Sequence, residues 1–387
     1  MKTVDLKYSL DKLLHYIESE GYVGWDPFDG LSSPIFQLPI LRSSKLLRFG
    51  FQQMHRRFPF NIRRILAIKK EINPVTLGLC IQGYSYLSTF CPEQQGVYRT
   101  KINWCIERLT ELQSSGFSGA CWGYNFDWES RYVTIPAFTP TVVATGFITN
   151  ALFELYQLTK NKRAKEICID SAQFVMNDLN KTMDGKSFCY SYSPIDHQIV
   201  YNATMKGARL LGQAYQLTKK NHYKEEGEKT IKFVLKNQKN DGSWFYSYQD
   251  GRNWSDNFHT AYIIDSLKSF VENTNINHYD NHLKKAITNY LNTFFTKNGL
   301  PKYLSNKIYP LDSTNVAQSI ITLINLCYYK QAVKIANLYI KLMQTEKGYF
   351  YYRKHKLLID KNNYMRWNNA WMFVALSKII SYKNQWN

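Results

Sequence analysis

The sequence predicts an all-α protein, an (α/α)6 toroid in which six helical hairpins form a closed ring. Three observations predict this fold. Six segments are typical of helices that are apolar on nearly every side, and each has an amphipathic partner whose apolar residues keep a helical period. The chain opens with an amphipathic helix and closes with an apolar one. Because helices buried on all sides belong inside, the apolar helices form an inner ring and the amphipathic helices surround it.

The first element in chain order is an amphipathic helix, with the apolar stripe Leu10, Leu13, Leu14 and Ile17 before Gly21. Residues 21–73 follow as the longest connection, rich in Pro, Arg and aromatic residues. In a toroid the connections that enter the inner helices lie at one end, around the mouth of a central cavity. We therefore expect residues 21–73 to fold over that mouth, with residues 1–387 forming one domain.

The hairpins then follow at a regular interval. Apolar helices begin near Thr76, Thr141, Ala203, Thr260, Val316 and Trp367, roughly 50 to 65 residues apart, which is close to the period of helical-hairpin arrays. The amphipathic helices carry the stripes Ile102, Ile106 and Leu109; Ala164, Cys168, Val175 and Leu179; Ile231, Val234 and Leu235; Leu283, Ile287, Leu291 and Phe294; and Val333, Ala336 and Ile340.

An open solenoid of the same hairpins is the alternative architecture. A solenoid needs a polar outer face on its terminal repeats. The closing segment, residues 371–376 (WMFVAL), is strongly apolar, which favours a closed ring. Between the hairpins, residues 187–190, 241–246 and 348–352 are aromatic and follow turn signals, so short β-strands are expected there.

The formal net charge is +19, from 49 Lys and Arg against 30 Asp and Glu. Such a surplus attracts nucleic acid, an anionic membrane surface or an acidic polysaccharide. No GxGxxG, GxxxxGKS, GxxxxGKT, HExxH or GxSxG motif is present, and no nucleic-acid-binding module is recognisable. We therefore expect no nucleic-acid partner, and peripheral contact with an anionic membrane surface stays open.

The seven cysteines lack paired spacing and any zinc-site pattern with histidine. They are interpreted as reduced thiols, which are typical of cytosolic proteins. The N-terminal residues lack the continuous apolar run of a signal peptide, and no apolar run is long enough to span a membrane. The expectation is a cytoplasmic protein without a metal or another cofactor.

Polar and aromatic residues collect directly before the apolar helices, as in residues 121–132, CWGYNFDWESRY. Helix N-termini present unpaired N–H groups and a positive dipole end, and Tyr and Trp offer flat apolar faces with a polar atom. Both features suit a glycan. The predicted substrate-binding residues are Trp25, Asp26, Asp29, Trp122, Asn125, Trp128, Tyr190, Tyr192, Tyr201, Asn202, Trp254, Arg366 and Trp367.

The predicted catalytic residues are Asp127, Asp256, Asp312 and His259. Glycoside hydrolysis needs two carboxyl groups that flank the scissile bond. A uronate lyase or epimerase needs a base at C5 and a group that neutralises the carboxylate. Each of these residues also has a structural interpretation, because Asp is a common helix N-cap. The sequence leaves open both chemistries, a non-catalytic glycan-binding scaffold, and an isoprenoid-binding toroid.

Four stretches together carry a resemblance: GYVGWDPFDGLSSPIF, CWGYNFDWESR with TPTVVATGF, DGSWFYS with WSDNFHTAYIIDSL, and MRWNNAWMFVALS. They resemble the VpsJ-like polysaccharide biosynthesis proteins, a toroid family of exopolysaccharide and capsule gene clusters, over nearly the whole chain. The resemblance implies a toroid of the six-hairpin glycosidase and terpenoid-cyclase type. It also implies a role in building or modifying a bacterial surface glycan, with a polysaccharide or lipid-linked oligosaccharide, acidic or not, as partner.

A second, narrower resemblance lies in the stretch QKNDGSW, which is similar to the repeat of squalene cyclases and protein prenyltransferases. The chain lacks the DxDD acid motif of those cyclases and shows no Asp, Cys and His set for the prenyltransferase zinc. Terpenoid chemistry is therefore the lesser alternative.

Overall fold

A computed structural model describes residues 5–382 of the chain. Two layers of long helices, together with a few shorter helices, account for most of this part. The helices are α1 (Leu6–Ser19), α2 (Pro39–Ser43), α3 (Lys45–Arg57), α4 (Pro74–Phe90), α5 (Gln95–Glu111), α6 (Val142–Thr159), α7 (Lys162–Asn177), α8 (Tyr201–Thr218), α9 (Asn221–Lys236), α10 (Asn257–Thr274), α11 (Asp280–Thr293), α12 (Ser313–Asn325), α13 (Tyr329–Met343) and α14 (Trp371–Ser381).

Six helices form the inner ring: α4, α6, α8, α10, α12 and α14. Each contacts the next, and α14 contacts α4, so the ring is closed. Helices α5, α7, α9, α11 and α13 pack outside their hairpin partners, and α1 packs outside α14. At the closure, a Cβ on Gly83 of α4 would lie 2.4 Å from the Phe373 ring of α14, so only glycine allows this approach. The predicted (α/α)6 toroid is confirmed.

The two layers differ in burial as the sequence pattern predicts. Helix α4 is buried continuously from Pro74 to Ser88, whereas α1 buries only the face that contains Leu10, Leu13, Leu14 and Ile17. Each Å² of apolar surface that is buried stabilises the fold by about 25 cal/mol. The near-continuous apolar segments therefore occupy the inner ring, where neighbours cover every side of a helix. Among residues 5–382, no helix has the length and hydropathy needed to cross a membrane.

The strands are short and antiparallel. Strand β1 (Trp128–Glu129) pairs with β2 (Thr134–Ile135), and β3 (Lys181–Asp184) pairs with β4 (Ser187–Tyr190). Strands β5 (Leu311–Asp312), β6 (Arg353–Lys354) and β7 (Ile359–Asp360) form a sheet in that order. Strand β4 was predicted.

Two of the three predicted strands do not form as regular strands. In residues 241–246, Asp241 accepts hydrogen bonds from the backbone N–H and the hydroxyl of Ser243, and this turn takes the backbone away from a ladder. In residues 348–352, pairing is limited to one bridge between Gln344 and Phe350. Trp244 instead donates its indole N–H to the carbonyl of Val234 in α9, and Phe350 packs against Tyr339 of α13.

The long connection, residues 21–73, packs over the N-terminal end of the inner helices through α3. Arg48 of α3 donates to Glu129 and Asp127 at 3.1 Å each, and Gln52 accepts from the backbone N–H of Glu129. Farther along, Arg63 donates to Asp29 at 2.8 Å within the connection itself. The contacts of Arg48 and Gln52 hold α3 against β1 at the mouth of the ring.

Candidate active site

A cavity of about 770 Å³ lies at the N-terminal end of the inner helices. Its wall combines the first turns of α8, α10 and α12, the π-helical turn Met365–Ala370 before α14, the connection around β1, and one side of α3. The segments directly before the inner helices, where the sequence analysis expected the site, therefore converge on one cavity. Of the predicted residues, Trp128, Tyr192, Asn202, Trp254, Asp256, His259, Arg366 and Trp367 line it.

His259 and Asp256 form a hydrogen-bonded pair in this wall. Asp256 is the N-cap of α10, and its Oδ1 accepts from the backbone N–H of His259 at 2.8 Å. Its other oxygen lies 2.6 Å from Nδ1 of His259. A carboxylate on Nδ1 fixes the tautomer that leaves Nε2 unprotonated, and it stabilises the imidazolium once Nε2 has taken a proton. Asp256 is buried, whereas His259 is partly exposed to the cavity.

Aromatic rings surround the histidine. Tyr246 stacks on Trp254 with ring centroids 4.2 Å apart and meets His259 edge to face at 4.8 Å. Across the cavity, Trp128 packs against Tyr192. Burial raises the pKa of Tyr246 to about 12, so its hydroxyl keeps its proton at neutral pH. The site thus offers a base, a protonated phenol and flat faces on which sugar rings stack.

The floor of the cavity is an aromatic cluster on the axis of the ring. Phe147, Tyr262 and Trp371 come from α6, α10 and α14, with Phe147 about 5 Å from each of the other two. The same three residues line a second cavity of about 370 Å³, so the cluster separates two cavities. Lys206 of α8 lies against it, with Nζ 3.6 Å from the Tyr262 ring centroid.

Most arginines of the wall are paired with carboxylates. Arg366 binds Asp26, Arg353 binds Asp312, and Arg252 binds Asp250. Such a pair adds little net charge to the cavity. These pairs also position the guanidinium groups, because each is held by a charge-assisted hydrogen bond.

Arg56 of α3 and the exposed Arg131 are the wall arginines without such a pair among the described residues. Arg56 is only partly exposed, and its Nε lacks a hydrogen-bond partner. Its guanidinium carbon lies 5.0 Å from the centroid of the Phe28 ring. Burial, and to a lesser degree the neighbouring Arg353 charge, lowers the pKa of Arg56. A partly buried guanidinium without an ion-pair partner in a ligand-sized cavity can bind an anion.

Two of the predicted catalytic carboxylates lie outside the cavity wall. Asp312 is fully buried, caps α12, and accepts from Arg353 at 2.6 Å and from the Trp367 indole at 3.2 Å. Asp127 is held by Arg48 and by the backbone N–H of Ala137. Asp256 is therefore the one of the three predicted catalytic carboxylates that reaches the cavity, and the structure does not bring the predicted hydrolytic pair together there.

Four predicted binding residues instead make contacts within the connection 21–73, or between this connection and the ring. Trp25 donates its indole N–H to the carbonyl of Ile68, and Asn125 bonds Glu71 and Asn73. Asp26 and Asp29 bind Arg366 and Arg63. They lie beside the cavity, around a water-sized pocket, and their polar atoms are used in these contacts.

Three predicted binding residues lie in the core. Trp122 is 1% exposed and donates its indole N–H to the carbonyl of Leu109. Tyr190 donates to Glu226 of the outer helix α9, and Tyr201 packs on Phe233 of the same helix. Trp122 contacts α5, whereas Tyr190 of β4 and Tyr201 at the start of α8 contact α9.

The sequence analysis missed several wall residues: Arg56, Tyr246, Arg252, Tyr262, Tyr303 and Arg353. Tyr262 follows His259 by one helical turn, so its position was open to prediction from helical spacing. Arg56 and Arg353 carry no such signal, because only the fold brings the 21–73 connection and the β6 strand to the cavity. Among residues 5–382, no group of three or more His, Cys, Asp or Glu side chains could hold a metal ion.

Comparison with known proteins gives one family match. Residues 157–260 match the family model described as pectic acid lyase. This span includes Asp256 and His259 but covers only part of the chain. No curated protein sequence matches the chain.

Solved structures match over most of the chain. The unsaturated glucuronyl hydrolase specific for heparin has a TM-score of 0.63 at 12% identity, over 98% of this chain and 96% of its own. The cellobiose 2-epimerase from Bacillus thermoamylovorans gives 0.62 at 12%, over 82% and 90%. The GH76 α-mannanase of Bacteroides thetaiotaomicron gives 0.55 at 12%, over 80% and 86%. The protein therefore has the fold of six-hairpin glycosidase-like toroids.

Proposed function

We propose that the protein is a lyase that cleaves an acidic glycan by removing the C5 proton of a uronic acid residue. One observation carries this proposal: the unpaired guanidinium of Arg56 lines the same cavity as the Asp256-bound imidazole of His259. A cation without a partner and a base with an orienting carboxylate are the two groups that this reaction requires.

Binding depends on charge and stacking. Arg56 supplies a partly buried positive charge for the substrate carboxylate, and partial removal from water strengthens the interaction. Trp254, Tyr246 and Trp128 offer ring faces to neighbouring sugars. A cavity of about 770 Å³ has room for a short oligosaccharide segment.

The chemistry follows from the geometry. Nε2 of His259 takes the C5 proton, and Asp256 stabilises the resulting imidazolium through Nδ1. The electron pair moves onto the carboxylate held by Arg56 and then forms the C4–C5 double bond while the C4–O bond breaks. Tyr246, protonated because its pKa is raised to about 12, gives a proton to the leaving oxygen. His259 then loses its proton to solvent, which reprotonates Tyr246, and the products are an unsaturated uronate and a new hydroxyl end.

Competing functions fit the cavity less well. A hydrolase needs two carboxyl groups at the scissile bond. The wall also contains Glu129 and Asp250, but Arg48 and Arg252 bind them. The oxygens of Asp312 and Asp127 are bound by arginines and N–H donors outside the wall. An isoprenoid site would be walled by apolar rings with few polar groups, whereas this wall contains Arg56, Arg131, Arg252 and His259. The partial match to the pectic acid lyase model, which ends at residue 260, also supports the lyase.

The test uses polygalacturonate and polyglucuronate as substrates and follows the ultraviolet absorbance of the unsaturated uronate. We expect wild-type protein to produce it and His259→Gln to lose at least about a hundredfold in rate, the usual contribution of a general base. His282→Gln is the matched control, because Nδ1 of His282 also lies 2.6 Å from a side-chain oxygen, that of Gln238, outside the cavity. Release of reducing ends without the absorbance overturns the lyase in favour of a hydrolase. Deuterium incorporation at C5 without cleavage overturns it in favour of an epimerase.

The biological setting is part of the same proposal. The resemblance to the exopolysaccharide and capsule family supports a role in making or modifying a bacterial surface polysaccharide, on a free or lipid-linked chain. The cysteine pattern supports a cytoplasmic location. Deleting the gene and measuring uronate in the surface polysaccharide, together with fractionation of the cells, tests both.

A further inference from the structure

Helix α3 is inverted relative to an ordinary surface helix. Its buried residues are the polar Arg48, Gln52 and His55, whereas Leu46, Leu47 and Met54 are exposed. A surface helix of a globular protein normally buries the apolar side and exposes the polar one. An inverted helix therefore presents an apolar face that needs something outside the protein to cover it.

The apolar exposure continues on both sides of α3. Helix α2 has no buried residue and contacts α3. Ile40 of α2 is 77% exposed, Leu46 of α3 is 78% exposed, and Ile65 after α3 is 84% exposed. We call the exposed side chains of Leu38, Ile40, Leu46, Leu47 and Met54 the α2–α3 surface. Isolated exposed leucines need no explanation, but a group of this kind marks an interaction site.

The charge of this region has one sign. Residues 31–70 contain no Asp or Glu, while Arg42, Lys45, Arg57 and Arg64 are exposed among the apolar side chains. Apolar side chains interspersed with Lys and Arg are typical of segments that lie in the interface of an anionic bilayer.

We propose that the α2–α3 surface docks the protein on a membrane of anionic lipids. Charge complementarity favours this occupant over a second copy of the chain, because self-pairing would place the same cations against each other. The absence of a membrane-crossing helix among residues 5–382 is consistent with attachment to the surface of the bilayer rather than insertion across it.

Docking would also orient the cavity. Phe49, Gln53 and Arg56 of the same helix line the cavity wall, so α3 faces the cavity on one side and the membrane on another. The cavity mouth would then lie close to the lipid headgroups, where a lipid-linked glycan is found. This docking goes beyond the proposed function and does not depend on it.

The experiment is sedimentation of the full chain with vesicles, in the absence of any glycan. The probes are phosphatidylcholine vesicles with and without phosphatidylglycerol. We expect binding to the anionic vesicles that weakens with salt, and a loss of at least about tenfold for Leu46→Gln/Leu47→Gln. For Arg42→Gln/Lys45→Gln we expect a loss of roughly twenty-five-fold, since each cation contributes about fivefold. Lyase activity on soluble polyuronate should be unchanged in both double variants.

Matched controls come from the opposite end of the ring. Leu158→Gln at the end of α6 and Lys162→Gln/Lys220→Gln, all exposed, should bind vesicles as wild type does. Equal binding by the Leu46→Gln/Leu47→Gln variant, or no wild-type preference for anionic vesicles, overturns the proposal. Concentration-dependent dimerisation that Leu46→Gln/Leu47→Gln abolishes also overturns it, and assigns the surface to a second copy instead.

Discussion

The carboxylate of Asp26 accepts two hydrogen bonds from the guanidinium of Arg366, at 2.5 and 2.8 Å, across 340 positions of sequence. Asp26 lies in the connection that covers the cavity, and Arg366 lies in the turn that leads into the last inner helix. Both side chains are buried. Burial opposes the charge of Arg366, and Asp26 outweighs burial, so the pKa of Arg366 is raised. The pair therefore joins the two ends of the chain at the cavity.

Arg366→Met should destabilise the protein by about 3 to 5 kcal/mol, because it leaves the Asp26 carboxylate buried without its partner. Urea unfolding measures the effect. Asp26→Asn/Arg366→Met should recover part of the loss, since the buried charge is then gone. Lys7→Met, which breaks the exposed Lys7–Asp11 pair, is the control and should change stability by less than about 1 kcal/mol. A loss of similar size in Lys7→Met and Arg366→Met would contradict the assignment.

Asp256→Asn separates the catalytic role of Asp256 from its structural one. The amide oxygen can still accept the backbone N–H of His259 as an N-cap, so the midpoint of thermal unfolding should move little. Lyase activity should fall by about 10² to 10⁴, because a neutral amide no longer fixes the tautomer of His259 or stabilises its imidazolium. Asp5→Asn, at the N-cap of α1, is the control with the same substitution in the same capping position. Full activity of Asp256→Asn would remove Asp256 from the mechanism.

Arg56→Gln tests the anion site. We expect kcat/KM on polygalacturonate to fall roughly 10- to 150-fold, the value of a charge-assisted contact of about 1.5 to 3 kcal/mol. The adjacent Arg57→Gln is the control, because Arg57 is exposed and bonds the carbonyl of Gln53. If Arg56→Gln and Arg57→Gln have the same kcat/KM, Arg56 does not bind the substrate carboxylate.

His55 should make stability fall in acid. The pKa of His55 is lowered from 6.5 to about 3. Burial is the main cause, and the charge of Arg63 is the second. Between these two values the unfolded chain binds a proton that the folded chain excludes, so the contribution of His55 is complete above pH 6.5 and is lost as pH falls. The free energy of unfolding should decrease by up to about 1.4 kcal/mol per pH unit in this window. His55→Leu should have a flatter profile, and parallel profiles for the two proteins would contradict the prediction.

Lys206→Met should stabilise the protein at neutral pH. Nζ of Lys206 has no hydrogen-bond partner, and burial lowers its pKa well below the ordinary value, with Arg209 adding to the shift. Replacing a buried, poorly compensated amine by an apolar side chain of similar length removes this penalty, and the Met thioether can keep a contact with the Tyr262 ring. The midpoint of thermal unfolding measures the balance. A fall in the midpoint would mean that the contact with Tyr262 outweighs burial.

The ring was predictable from the sequence because the buried positions of a helix recur in the sequence with a helical period. The apolar pattern indicates which sides of a helix are buried. Helix α4 is apolar nearly throughout and is buried on all sides, whereas α1 has one apolar stripe and buries one face. The position of His259 and Asp256 in the cavity was predictable for the same reason, since both lie at the start of an inner helix. Strands were less predictable, because the turn at Asp241 competes with pairing and pairing depends on a distant partner.

The sequence by itself therefore determined the six hairpins, their closure into a toroid, and the end at which polar and aromatic residues gather. Tertiary structure alone decided which of those residues face the cavity. Trp122 lies in the core, and Asp312 is bound by Arg353. Arg56 lies in the cavity wall although its segment of sequence has no periodic pattern. The physical reason is that helix burial is set by neighbours a few residues away, whereas the partner of a side chain in a loop is set by segments hundreds of residues distant.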